Sequence, residues 1–204
     1  MSEITIKELT TQEETSRFWD RLCAYFRRDI FPEGELDREE SLDYFLGEEY
    51  RAVMEKHRTR PVDPLCFLAF ARDGADIGFA IPAFYPSEDG KCFIMEFWAE
   101  PEFRGGGTGA ACAQALLDWA RERGAAYFEL NADGERRRRF WARAGFVPNG
   151  VDEWGNPCML LPPEEALPLR VERLTDPDGP ELGWQWLKLE NSFLAEIGEG
   201  PLAG

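Results

Sequence analysis

Three consecutive glycines, Gly105-Gly106-Gly107, stand between an apolar run, Phe93-Ile94-Met95-Glu96-Phe97-Trp98-Ala99, and a stripe of Leu116, Leu117, Trp119 and Ala120 at helical spacing. The run has the length of a strand and the stripe requires a helix, so the glycines mark a strand-to-helix junction. Glycine carries no side chain, which lets successive backbone N–H groups approach an anion. A helix start adds unpaired donors and partial positive charge. A glycine cluster alone also fits a plain flexible loop, so its neighbours decide. No Lys-Ser or Lys-Thr follows Gly109, which excludes a nucleoside-triphosphatase phosphate loop. A dinucleotide fingerprint would follow an early strand, whereas here four strand-like and two helical segments come first.

Those segments are legible one by one. Ile4 to Leu9 alternates like a half-buried strand. Thr11-x-x-Glu14 predicts a capping box that opens a helix burying Phe18, Trp19, Leu22, Tyr25 and Phe26. Asp37-x-x-Glu40 predicts a second box, ahead of one helix with Leu42, Phe45, Leu46, Tyr50, Val53 and Met54, stopped by Pro61 and Pro64. Runs 65–72 and 77–85 flank Asp73-Gly74, a hairpin signal, and 91–100 follows. The helix after the glycines stops at Gly124. Tyr127 to Asn131 reads as a strand, Glu135 to Ala144 as a helix and Gly145 to Leu161 as a strand pair. The order β-α-α-β-β-β-α-β-α-β-β predicts an α/β domain over residues 1–162, a mixed sheet flanked by helices, with parallel neighbours late in the chain.

Pro162-Pro163 marks the start of a C-terminal extension, 163–204. Its Leu167 to Leu174 reads as an edge strand. From Glu181 onward Trp186, Leu187, Phe193, Leu194 and Ile197 share one helical face. So short a segment cannot form its own core, so it must dock on its own domain or on a second copy in a homodimer.

Charge and composition narrow the partners. The net charge of −16, from 39 acidic and 23 basic side chains, argues against nucleic acid. It serves solubility and favours a cationic partner. No run approaches the roughly 18 apolar residues of a membrane span, and the start of the chain lacks a secretory pattern. Five cysteines without a Cys-x-x-Cys pair fit reduced thiols in a cytoplasm. The single histidine, His57, leaves little material for a Ser-His-Asp triad or a histidine-ligated metal.

The junction and the later helix resemble the GNAT superfamily, the Gcn5-related N-acetyltransferases. Its signature Arg/Gln-x-x-Gly-x-Gly/Ala is matched by Arg104, Gly107 and Gly109, approached through Pro101-Glu102-Phe103. Phe140-Trp141-Ala142-Arg143-Ala144-Gly145-Phe146 looks like the family's Phe-Tyr-x-x-x-Gly-Phe ending. The resemblance spans residues 3–162. It implies acetyl-CoA as co-substrate, no metal, and a primary amine of a small molecule or peptide as acceptor, attacked directly in a ternary complex.

The resemblance also implies roles. Backbone N–H groups of Arg104, Gly105, Gly106, Gly107, Thr108 and Gly109 would hold the coenzyme A pyrophosphate. The strand at Phe97, Trp98 and Ala99 would pair with pantetheine, and an N–H near Ala99 would polarise the thioester carbonyl. Asn131 would meet the pantetheine arm, although the family often carries an Asn where this chain has Gly134. Glu96 occupies a position that often holds the base for the amine, and an acid that only positions substrate fits there too. Trp141 stands where many members have the Tyr that protonates the leaving thiolate, and an indole N–H cannot do so near neutral pH. Tyr127, Tyr85 or water would then substitute, or transfer is lost. The Arg136 to Arg139 run is either a CoA-phosphate contact or a solvated face. Two other functions stay open: a CoA-binding regulatory module without turnover, and a transferase of a longer acyl group.

Overall fold

A computed structural model describes residues 3–34, 37–152 and 154–163. The chain divides into two compact units, the first reaching Ala125 and the second beginning at Ala126. In the first, strand β1 (Thr5–Glu8) leads to helix α1 (Gln12–Tyr25). Thr11 caps α1 as its spacing predicts. The Glu14 N–H donates to Thr11 Oγ1 at 3.3 Å, and the Thr11 N–H donates to Glu14 Oε2 at 3.0 Å. The helix then widens into a π-helical turn, Phe26–Ile30, where the Phe31 N–H reaches back to the Phe26 carbonyl at 2.8 Å. Such turns recur at functional sites.

The next segment differs from the sequence expectation. Asp37 is left-handed, with φ 58°, and its side chain caps nothing, so the second capping box does not form. The one helix predicted through Met54 is two, α2 (Arg38–Phe45) and α3 (Glu48–Arg58), separated at Gly47. A β-carbon at Gly47 would stand 2.7 Å from the Asp43 carbonyl oxygen, so only glycine allows the break. The periodicity survives it because both pieces bury one stripe: Leu42, Tyr50 and Met54 are buried, while Val53 is exposed.

Strands β2 (Leu68–Arg72), β3 (Ala75–Tyr85) and β4 (Lys91–Ala99) give this unit a sheet ordered β1-β2-β3-β4, all neighbours antiparallel. Asp73 and Gly74, at φ 52° and 80°, form the predicted tight turn, with Arg72 opposite Ala75. Regular pairing starts at Leu68 rather than Leu65, which bridges only Ala83. β3 is buried without interruption from Ile77 to Phe84, because helices cover both its faces. On one face Phe79, Ile81 and Ala83 join Phe67, Ala69 and Trp98 against α1 to α3. Phe18 stacks on Phe67 at 4.4 Å and meets Phe79 edge-on at 5.3 Å. Truncating a ring buried this way costs about 3–5 kcal/mol. The other face carries α4 (Thr108–Arg121), whose Trp119 lies 5.9 Å from Phe84. At its end Ala125 N–H bonds Ala120 C=O and Gly124 N–H bonds Arg121 C=O, a Schellman stop around Gly124 at φ 92°.

The second unit contains β5 (Tyr127–Asn131), α5 (Gly134–Arg143), β6 (Val147–Val151) and β7 (Pro157–Leu161). Its strands lie in the order β5-β7-β6, both pairings antiparallel. The element order therefore matches the expectation with one helix added. The predicted strand and helix of the extension lie outside the described residues. Among the described residues no helix is long and apolar enough to cross a membrane.

Candidate active site

Glu96 owes its placement to an irregularity in β4. Ile81 faces Glu96 while its neighbour Pro82 faces Ile94, so Met95 is an extra residue bulged out of the strand. Pro82, which has no N–H to give the ladder, sits at that bulge. Simple alternation from Cys92 and Ile94 would put Glu96 on the α4 face. The bulge shifts the phase, so Glu96 and Trp98 share the face of Ile81 and Phe79, towards α1. There the Tyr25 hydroxyl donates to Glu96 Oε2 at 2.8 Å. Tyr50 is also close: burial pushes its hydroxyl pKa up, and the negative charge of Glu96 adds to the rise.

β4 ends at Ala99, a short 3-10 turn spans Pro101–Phe103, and the glycines follow. Gly105, Gly106 and Gly107 have φ of 96°, 53° and 85°, three left-handed residues in a row. A β-carbon added at any of them would meet nothing within 4 Å, so the loop opens onto free space that side chains would otherwise fill. Thr108 N–H is tied to Gly105 C=O and Ala111 N–H to Gly107 C=O, both at 3.0 Å. Among the described residues no carbonyl outside α4 accepts from Gly106, Gly107, Gly109 or Ala110 N–H. Free N–H groups at a helix start, open backbone and a missing side-chain wall suit a phosphate.

The Arg104 side chain is not free to follow its backbone. Its Nε donates to Ala99 C=O at 2.8 Å, and its two Nη atoms reach Asp29 at 3.1 and 3.5 Å. Asp29, in the π-helical turn, also accepts from Trp98 Nε1 at 2.7 Å and from Arg28 at 3.0 Å. Burial alone would raise the Asp29 carboxyl, but the hydrogen bonds from Arg104, Arg28 and Trp98 outweigh it and hold it below its ordinary value. About two helical turns earlier, Arg21 of α1 grips Glu100 at 3.0 Å. Both ends of the turn before the glycines are thus clasped by α1 and its extension.

In the second unit, Asn131 closes β5, and its amide donates to Asp152 Oδ2 at 3.1 Å and to Cys158 Sγ at 3.4 Å. Trp141 is buried, with Phe140 and Phe146 at ring distances of 5.0 and 5.1 Å. Phe146 N–H bonds Trp141 C=O and Gly145 N–H bonds Ala142 C=O, so the Phe-Trp-x-x-x-Gly-Phe ending is another Schellman stop, its apolar contact made by Trp141 and Phe146. Of the arginine run, Arg138 and Arg139 pair with Glu135 at 3.8 and 2.7 Å. Tyr85 lies under Lys91, whose Nζ is 4.6 Å from the ring centre, and Tyr127 is buried in β5.

Compared with known sequences, residues 19–146 match the profile of the acetyltransferase (GNAT) family. The chain belongs to the GNAT family of acetyltransferases. Solved structures of the same fold include the PaiA N-acetyltransferase of Thermoplasma acidophilum in complex with coenzyme A. That pair is 15% identical with TM-score 0.57, covering 78% of this chain and 98% of the other. A GCN5-related N-acetyltransferase from Rhodopseudomonas palustris is 20% identical, TM-score 0.53, covering 78% and 96%. The ribosomal-protein-S18-alanine N-acetyltransferase of Escherichia coli is 18% identical, TM-score 0.50, covering 83% and 99%. No curated protein matched by sequence.

Within this GNAT chain Glu96, Phe97, Trp98, Ala99 and Arg104 to Gly109 all lie in the first unit, while Asn131 belongs to the second. Sequence reasoning overlooked Tyr25 as a partner of Glu96, because its spacing marked it only as core. It also overlooked Asp29 and Arg72. Their signal is three-dimensional: a carboxylate gripping a signature arginine, and a guanidinium delivered by β2 to the first residue of α4.

Proposed function

We propose that this chain transfers an acetyl group from acetyl-CoA to a primary amine of a small molecule or peptide, by direct attack in a ternary complex. The observation that carries the reading is the run of left-handed glycines opening onto α4 at the end of the strand that bears Glu96. Within the Arg104 to Gly109 stretch the N–H groups of Arg104 and Thr108 are already bonded to Pro101 and Gly105 C=O, so those of Gly106, Gly107 and Gly109 bind the CoA pyrophosphate, and the backbone of Phe97, Trp98 and Ala99 lines the pantetheine. When bound, the co-substrate supplies an acyl group activated as a thioester. A β4 N–H near Ala99 polarises its carbonyl. Glu96, oriented by Tyr25, takes the amine proton directly or through water. With 39 acidic side chains against 23 basic ones, approach of a cationic amine is favoured.

Residues 1–162 form the acyltransferase domain in this reading, working in the cytoplasm, and 163–204 serve as a docking arm, across a homodimer. Light scattering at micromolar concentration tests the dimer, and a monomer refutes it. One observation favours a second reading. Trp141, packed between Phe140 and Phe146, offers no hydroxyl to protonate the leaving thiolate. That suits a CoA-binding module without turnover. An amine panel with acetyl-CoA, read by product mass, separates the two. Acetylated product with CoA release supports the transferase, whereas tight binding without release supports the module. Mass spectrometry of co-purified acyl-CoA identifies a longer acyl chain if that is the donor.

A further inference from the structure

Arg72 is the last residue of β2 and lies on the face of Leu68 and Phe70, the side of the sheet that α4 covers. Its Nη1 donates to Thr108 Oγ1 at 3.1 Å, so the guanidinium rests against the first residue of α4. Its Nε is buried and has no acceptor. Among the described residues no carboxylate lies within ion-pair distance of it, although Arg21, Arg28, Arg58, Arg104 and Arg121 each hold one.

This placement runs against electrostatics. A helix start carries partial positive charge and its unpaired N–H groups attract anions, so a cation there is repelled. A partly buried charge also needs a partner. A buried group left unsatisfied calls for an explanation, and a ligand is one. Thr108 Oγ1 accepts one hydrogen bond from the guanidinium, and its buried Nε is left without an acceptor.

We infer that Arg72 is a phosphate-binding residue of the cofactor site, its charge compensated only when a phosphate sits on the N–H groups of Gly106, Gly107 and Gly109. The inference rests on the reading that this loop takes coenzyme A. Arg72 adds a full positive charge at the start of α4, where the glycine loop itself offers backbone dipoles, and Thr108 fixes its position. A guanidinium suits this task because it stays charged and presents several donors in one plane.

The test compares wild type, Arg72→Gln and Arg72→Lys, with folding confirmed by circular dichroism. Calorimetry measures the dissociation constant of CoA, and thermal melts are run without ligand and with inorganic pyrophosphate. Arg72→Gln is expected to melt no lower than wild type without ligand, because it relieves repulsion. It should weaken CoA binding at least about tenfold and lose the stabilisation by pyrophosphate. Arg72→Lys should recover part of the affinity. An Arg72→Gln protein that melts lower yet binds CoA within twofold of wild type overturns the inference, leaving Arg72 as a strut for Thr108. If Gln loses both stability and binding, Lys decides: recovered binding supports the charge, and no recovery overturns it. Wild type that binds neither CoA nor pyrophosphate refutes the cradle itself, and the role of Arg72 with it.

Discussion

Gly107 offers a test in which strain and ligand binding can be separated. It initiates α4 at φ 85° and ψ 2°, and an added β-carbon would meet no atom within 4 Å. Gly107→Val therefore suffers torsional strain but no clash. A side chain forced into the left-handed region costs about 1–3 kcal/mol. For a chain of this size that lowers the melting temperature by about 2–12 °C. The effect on CoA is larger. The valine side chain would occupy the space where the backbone N–H groups face the pyrophosphate, and each hydrogen bond to a charged group is worth about 1.5–3 kcal/mol. Losing two weakens binding by about 3–6 kcal/mol, or about 10²- to 10⁴-fold. Gly74→Val is the matched control: φ is 80°, nothing lies within 4 Å, and the site is the β2–β3 hairpin. Titration calorimetry and melting curves of both variants decide. Comparable melting losses with CoA binding lost only at Gly107 are expected. Unchanged CoA affinity in Gly107→Val, or equal loss in Gly74→Val, refutes the assignment.

Glu96→Gln should lower turnover by about 10²-fold or more and remove the acidic limb of the rate profile while leaving CoA affinity nearly intact, as steady-state kinetics across pH will show. If both rate and profile persist, Glu96 is a bystander. Asp29→Asn loosens the grip on Arg104, a partly exposed pair worth about 1 kcal/mol, and should weaken CoA binding roughly fivefold by calorimetry. Because the folded Asp29 carboxyl lies below its ordinary 3.8, the clasp is complete above that pH and is lost as pH falls further. The variant should lack this acid loss, and an identical acid response in both proteins contradicts the role. Gly78→Ala would place a β-carbon 2.3 Å from the Trp98 carbonyl oxygen. Backbone must move, so a melting loss of at least about 6 °C is expected, and an unaltered melt disproves the close approach.

What the sequence disclosed about this fold was local. The Thr11-Glu14 box, the Asp73-Gly74 turn and the stops at Gly124 and Gly145 each depend on residues within one or two turns of each other. The glycine junction belongs to the same class, which is why the passage from strand β4 to helix α4 was legible from residue identities alone. The break at Gly47 was invisible because periodicity continued across it. Asp37 suits a capping position by residue type, yet its left-handed backbone points its side chain elsewhere. The phase shift at Met95 leaves no mark in composition, since an exposed Met in an apolar strand looks ordinary. Tyr25, Asp29 and Arg72 acquire meaning only from partners 36 to 75 positions away, a distance at which sequence spacing carries no geometry.

The helix stop at Gly145 bears on what a family signature measures. Gly145 supplies the left-handed residue, and Trp141 and Phe146 supply the apolar contact that closes the stop. Each of those positions is thus held by architecture, irrespective of any reaction. A signature that scores them detects inheritance of a scaffold and keeps detecting it in descendants whose chemistry has changed. At position 141 the packing against Phe140 and Phe146 is met by a large aromatic ring. The helix stop itself uses the ring and not a hydroxyl, so a match to this motif reports the packing of the scaffold and leaves the chemistry at position 141 to be read separately.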